Sequence, residues 1–176
     1  MAVVRKKITS SSEHVPSMSM AEALALLERS GMLTPPVNVF ALAEYLGIEV
    51  QQEVMDDDMS GYLEYRSGRW VAGINAYHHM NRKRFTLAHE IAHFLLHRNE
   101  KSRFDDELFT RRIGSKDKIE VEADTLAASV LMPEPAFKER IGAGVTAIGD
   151  LASYFGVSNQ ALRYRALGLG YRTTSE

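Results

Sequence analysis

The stretch "RFTLAHEIAHFLLH", residues 84 to 97, carries His89, His93 and His97 at intervals of four. Residues 81 to 97 contain no Gly or Pro. Phe85, Leu87, Ala88, Ile91, Ala92, Phe94, Leu95 and Leu96 make the segment apolar nearly all the way round. That pattern predicts a helix buried on most of its sides. A buried polar group without a partner costs about 1–3 kcal/mol. His89, Glu90 and His93 therefore need a reason to be there, and they form the pattern H-E-x-x-H.

The spacing supplies one. Residues i and i+4 lie on one helix face, about 6 Å apart along the axis. Two imidazoles so placed can converge on one Zn²⁺ at roughly 2.0–2.1 Å. Glu90 sits one step round the helix, suited to act as general base on a water at the metal. His97 lies about 12 Å from His89 along the axis, too far to share the ion. It is expected to end the helix, satisfied by solvent or a terminal carbonyl.

A third ligand must come from elsewhere, and "KIEVEADTLAASVLMP", residues 118 to 133, offers candidates. Glu120 and Asp124 are spaced i, i+4 on a second helical segment. Glu120 is the preferred ligand. Asp124 is placed to accept the spare N–H of a ligating histidine and fix its tautomer. Glu122 competes for the ligand role, but residues two apart point to opposite sides of a helix, so only one of the two should face the metal.

Outward from this core the chain reads as α+β. A capped helix is expected near residues 17 to 31 and a second from Asn38 to Gly47. "IEVQQEV" alternates as a strand. "SGYLEYR" and "RWVAGIN" flank Ser67-Gly68 as a hairpin. A sheet of about three strands thus precedes the histidines, and "RWVAGIN" is expected to pair with an extended substrate. The triplet Asp56 to Asp58 reads as a solvated loop. Ser115 to Met132 is helical in period and stops at Pro133. Two short helices follow, "TAIGDLASYFG" and "SNQALRYRALG", resembling a helix-turn-helix.

The chain has 176 residues, 45% apolar and 25% charged, as expected of a globular domain. A net charge of -2 gives no global pull toward nucleic acid or membrane. There is no cysteine, which excludes disulfides, thiol catalysis and Cys-based zinc ribbons and fits a cytoplasmic setting. No apolar run approaches the roughly 20 residues of a membrane span. Residues 1 to 16 read as a disordered arm, 17 to 144 as the main domain, 145 to 171 as a helical subdomain packed on it, and 172 to 176 as a tail.

"RFTLAHEIAHFLLH" with "EVEADTLAASVLMP" closely resembles the two signature segments of the ImmA/IrrE family of metallopeptidases. "PPVNVFALAEYLGIEV" and "LASYFGVSNQALRYRALGLG" resemble its flanks, so the likeness covers about residues 20 to 170. It implies a small zincin-like fold, helices packed on a short sheet. It implies site-specific cleavage of a partner repressor, usually a helix-turn-helix protein of the Xre type, in bacteria or their mobile elements. Carried over, His89 and His93 are zinc ligands, Glu90 is the catalytic base, Glu120 is the third ligand, and Asp124 stands where the family has Asn or Asp. Some relatives carry an added sensory domain; this chain, ending at 176, is expected to lack one.

An oxyanion donor is also needed. Tyr77, His78, His79 and Tyr154 are candidates, and the sequence does not choose among them. Two rival functions remain. One is a regulator, such as a toxin–antitoxin or mobile-element component, that sequesters its partner around a structural metal; such a site has no use for Glu90. The other is DNA binding through Arg163 and Arg165, against which the sparse basic residues of the C-terminal helices speak.

Overall fold

The computed structural model describes residues 17–107 and 117–172. The expected N-terminal arm and most of the tail lie outside the described residues, as does the start of the helix expected from Ser115. Helices α1 (Met20–Arg29) and α2 (Val39–Tyr45) come first. Ser19 caps α1 in a reciprocal capping box with Glu22, and Asn38 caps α2. Strands β1 (Glu49–Glu53), β2 (Met59–Arg66) and β3 (Arg69–Asn75) follow, and then the 17-residue helix α3 (Met80–Leu96). After α3 come β4 (Arg103–Glu107), α4 (Lys118–Leu131), α5 (Glu134–Gly142), α6 (Ile148–Phe155) and α7 (Asn159–Gly168). Among the described residues no helix is long and apolar enough to cross a membrane.

The sheet is mixed, with order β1-β3-β2-β4. β2 and β3 form the expected hairpin, turning at Ser67 (φ 52°) and Gly68 (φ 81°), the paired positive φ values of a type I′ turn. β1 joins β3 in parallel and β4 joins β2 antiparallel. The strands expected before the histidines are β1 to β3, and β4, after α3, adds a fourth among the described residues. One expectation is corrected: β3, "RWVAGIN", is central and paired on both sides, so it has no edge to offer a substrate. β4 escaped notice because four of its five residues are charged, yet it alternates: Phe104 and Asp106 are buried.

The sheet face away from α3 carries polar contacts around the buried Val71 and Tyr62. Arg69 pairs with Glu49 at 2.9 Å, Arg66 donates to Gln51, and Arg103 bridges Asp105 and Glu64. The other face packs on α3. Leu63, Ala72 and Ile74 are fully buried there with Leu87, Ile91 and Leu95. The approach is closest at Gly61. A Cβ there would lie 2.6 Å from Thr86 Cγ2 and 2.6 Å from the Gly73 carbonyl, and 3.6 Å from Glu90 Oε1. Only glycine lets β2 come this close, and the contact places Glu90 against the strand.

α5 was not expected, because "PEPAF" reads as a break; Pro133 instead is its N-cap and Pro135 falls in its first turn, where a missing N–H costs nothing. Its Phe137 is buried and stacks on Phe155 of α6 at 5.7 Å. α6 and α7 turn at Gly156 (φ 64°), and Ser158 caps α7. The turn is fastened to α3: Arg84 donates to the Phe155 carbonyl at 3.1 Å and Asn81 to the Val157 carbonyl at 3.2 Å. Arg165 donates to the Met132 carbonyl from a half-buried position, so it belongs to packing and not to an open recognition face.

Candidate metal centre

α3 is buried at every position from Thr86 to Leu96, as its apolar composition requires. His89 and Glu90 are 0% exposed and His93 is 1%. α4 packs along α3 and brings its acidic side chains to these histidines. His89 Nε2 lies 3.2 Å from Glu120 Oε2, His93 Nε2 lies 3.4 Å from Glu120 Oε1, and the two Nε2 atoms are 2.9 Å apart. His89, His93 and Glu120 form a group able to hold a metal ion, with all three donor atoms within 4.8 Å of one another.

The donor set can be tested against an ion. Tetrahedral coordination at roughly 2.0–2.1 Å puts neighbouring donors about 3.3 Å apart. The separations here are 2.9, 3.2 and 3.4 Å. Two imidazoles and a carboxylate are also the donor chemistry of catalytic zinc sites, which leave a fourth position open. The residues therefore fit zinc in both chemistry and spacing.

The surrounding charges favour a cation. Asp124 Oδ1 is 2.9 Å from His89 Nδ1. Burial works against a charged His89, but Asp124 and Glu120, helped by Asp106 and Glu90, outweigh it and raise its pKa. The proton so favoured sits on Nε2, facing Glu120, and a bound ion would take that place with release of the proton. Burial works against an ionised Glu120 as well; its contact with the charged His89, above all the hydrogen bond from that ring, overcomes it and holds the carboxyl well below its usual range. His93 goes the other way: burial dominates and keeps it neutral.

His97 departs from expectation. It is neither solvated nor spent on a carbonyl through its ring. It is 2% exposed, with Nδ1 at 3.2 Å from His93 Nδ1 and Nε2 at 3.1 Å from Glu122 Oε2. Glu122 therefore does not turn away from α3. Its long side chain, at the flank of the α3–α4 contact, reaches one turn further along α3 than Glu120 does. Phe104 of β4 stacks on His93 at 4.5 Å with 17° between the rings. Asp106, two residues on, faces the same side and acts on both His89 and His78. Sequence reasoning missed Phe104, Asp106 and the His97–Glu122 pair. The available signal was the run Glu120, Glu122, Asp124, three acids opposite three histidines.

Of the oxyanion candidates, His79 caps α3, accepting from the Asn81 N–H, roughly 15 Å along the axis from His89. Tyr154 lies under the Arg140 guanidinium at 3.9 Å. Tyr77 is 74% exposed on the β3–α3 connection, and His78 beside it is half-buried.

This fold and site agree with a family model described as the IrrE N-terminal-like domain, of a peptidase family, which matches residues 43–167; the chain belongs to that family. Among curated proteins it is similar to the "Uncharacterized immunity region protein 2" of Bacillus phage phi105, with 31% identity over 97 residues. The match covers 55% of this chain and 60% of that relative, so the chain spans about three fifths of the relative's length.

Proposed function

We propose that this protein is a cytoplasmic zinc endopeptidase that cuts a partner helix-turn-helix repressor of the Xre type at a specific site and so relieves repression. The observation that carries the reading is the convergence of His89 Nε2, His93 Nε2 and the Glu120 carboxylate beside a buried Glu90. A merely structural metal gives no reason to bury that extra carboxylate. The relative from a phage immunity region supports a regulatory target.

In this reading His89, His93 and Glu120 hold the ion, and zinc supplies Lewis acidity toward the scissile carbonyl and the attacking water. Glu90 takes the proton from that water and delivers it to the leaving amine. The close approach of β2 at Gly61 sets Glu90 of α3 against the strand. Asp124 keeps His89 in one tautomer. Tyr77 and His78, the candidates left by the commitments of His79 and Tyr154, are assigned to the oxyanion. Any strand-like pairing with substrate falls to the edge strand β4, whose Phe104 lies against His93.

The test is cleavage of a candidate helix-turn-helix repressor, sought among the products of the neighbouring genes, by wild-type protein and by Glu90→Gln. Cleavage by the first and not the second supports the reading. Full biological activity of Glu90→Gln would falsify it in favour of sequestration.

A further inference from the structure

Both ring nitrogens of His97 are engaged, although the ring binds no ion in the arrangement above. Nε2 lies 3.1 Å from Glu122 Oε2 and Nδ1 lies 3.2 Å from His93 Nδ1. An ionised carboxylate can only accept, so Nε2 of His97 carries a proton. Lys118 Nζ, 3.5 Å from Glu122 Oε1, favours the charge on that carboxylate. A neutral imidazole has one donor and one acceptor, so Nδ1 of His97 accepts. Nδ1 of His93 must then donate, and the free lone pair of His93 is left on Nε2. That atom is the one 2.9 Å from His89 Nε2 and 3.4 Å from Glu120. The opposite tautomer of His93 would face Nδ1 lone pair to lone pair with neutral His97 and point a proton at the donor cluster.

We propose that His97 and Glu122 form a positioning pair that fixes the tautomer and ring plane of His93, as Asp124 does for His89. The proposal rests on the metal-site reading above. Phe104, stacked on the outer face of His93, completes the clamp by blocking ring rotation. The two imidazoles thus acquire the same polarity by different routes: His89 through one carboxylate, His93 through a histidine and then a carboxylate. The detour has a geometric cause. His93 Nδ1 faces the next turn of α3, where the C-cap residue His97 meets it at 3.2 Å.

The experiment measures zinc affinity by chelator competition and the absorption spectrum of the cobalt-substituted protein. It compares wild type with His97→Phe, His97→Gln, Glu122→Gln and the double variant His97→Phe/Glu122→Gln. Loss of an orienting partner typically weakens metal binding roughly 10- to 100-fold. His97→Phe should fall in that range. His97→Gln should recover most of it, because its amide can accept from His93 and donate to Glu122. Glu122→Gln should weaken binding, and should add nothing in the His97→Phe background, because it acts through His97. The cobalt spectrum should keep its four-coordinate form throughout. His97→Phe could fail to fold, so melting temperatures are taken; His97→Gln and the half-exposed Glu122→Gln keep the test decisive. Wild-type affinity in both of those variants, or additive losses in the double variant, overturns the positioning pair alone. Failure of the wild type to bind zinc overturns the metal reading and this proposal together.

Discussion

Asp124 Oδ1 stands 2.9 Å from His89 Nδ1 while Glu120, one turn earlier on the same helix, meets Nε2 of the same ring at 3.2 Å. One helix therefore grips both ends of one imidazole. Asp124→Ala should leave the fold intact and weaken zinc binding roughly 10- to 100-fold. Asp124→Asn keeps an acceptor oxygen but loses the charge, and should fall between the two. Chelator competition distinguishes the three proteins; equal affinities would assign Asp124 to helix packing.

Zinc content tests the ligands themselves. Purified protein should carry about one zinc per chain. His89→Ala and His93→Ala should lose it, and Glu120→Gln should lose far more of it than Glu122→Gln. Elemental analysis finding the reverse order would make Glu122 the ligand.

Glu90→Gln keeps side-chain shape but cannot accept a proton from water. Cleavage should drop at least 10²- to 10⁴-fold, about the contribution of a general base. Zinc occupancy and melting temperature should stay near wild type.

Gly61→Ala puts a methyl group 2.6 Å from Thr86 Cγ2 and from the Gly73 carbonyl. Overpacking of this kind costs about 1–3 kcal/mol. Shortening Thr86 to Ser should recover only part, because the Gly73 clash is with backbone. Urea titrations of the single and double variants measure this, and full recovery would show that the strand yields more readily than its register implies.

On α7, Tyr164 is 69% exposed and Leu167 is 55% exposed, one turn apart. Tyr164→Ala and Arg163→Glu should slow cleavage of intact repressor while zinc content and melting temperature hold. Normal cleavage combined with lost affinity for a specific DNA site would reassign the C-terminal helices to DNA.

Much of the architecture was legible because local rules and tertiary packing agreed. The apolar run around His89 fixed α3, Asn38 marked one helix start and Ser17 or Ser19 another, and Ser67-Gly68 marked the hairpin. What was not legible involved long-range partners. β4 hides its buried Phe104 and Asp106 among charges whose sense depends on pairing with β2. α5 begins at a proline that reads equally as a stop. The positions of His97 and Glu122 required the crossing of α3 and α4, which intrahelical spacing does not contain.

The fastening of Arg84 and Asn81 to the carbonyls of Phe155 and Val157 has a mechanical consequence. Arg84 and His89 are five residues apart on α3, about 7.5 Å along one rod. The C-terminal helices cannot pivot as a unit without breaking these bonds or dragging that rod with them. Whatever grips α7 holds a lever whose fulcrum is the first turns of α3 and whose far arm carries the histidines.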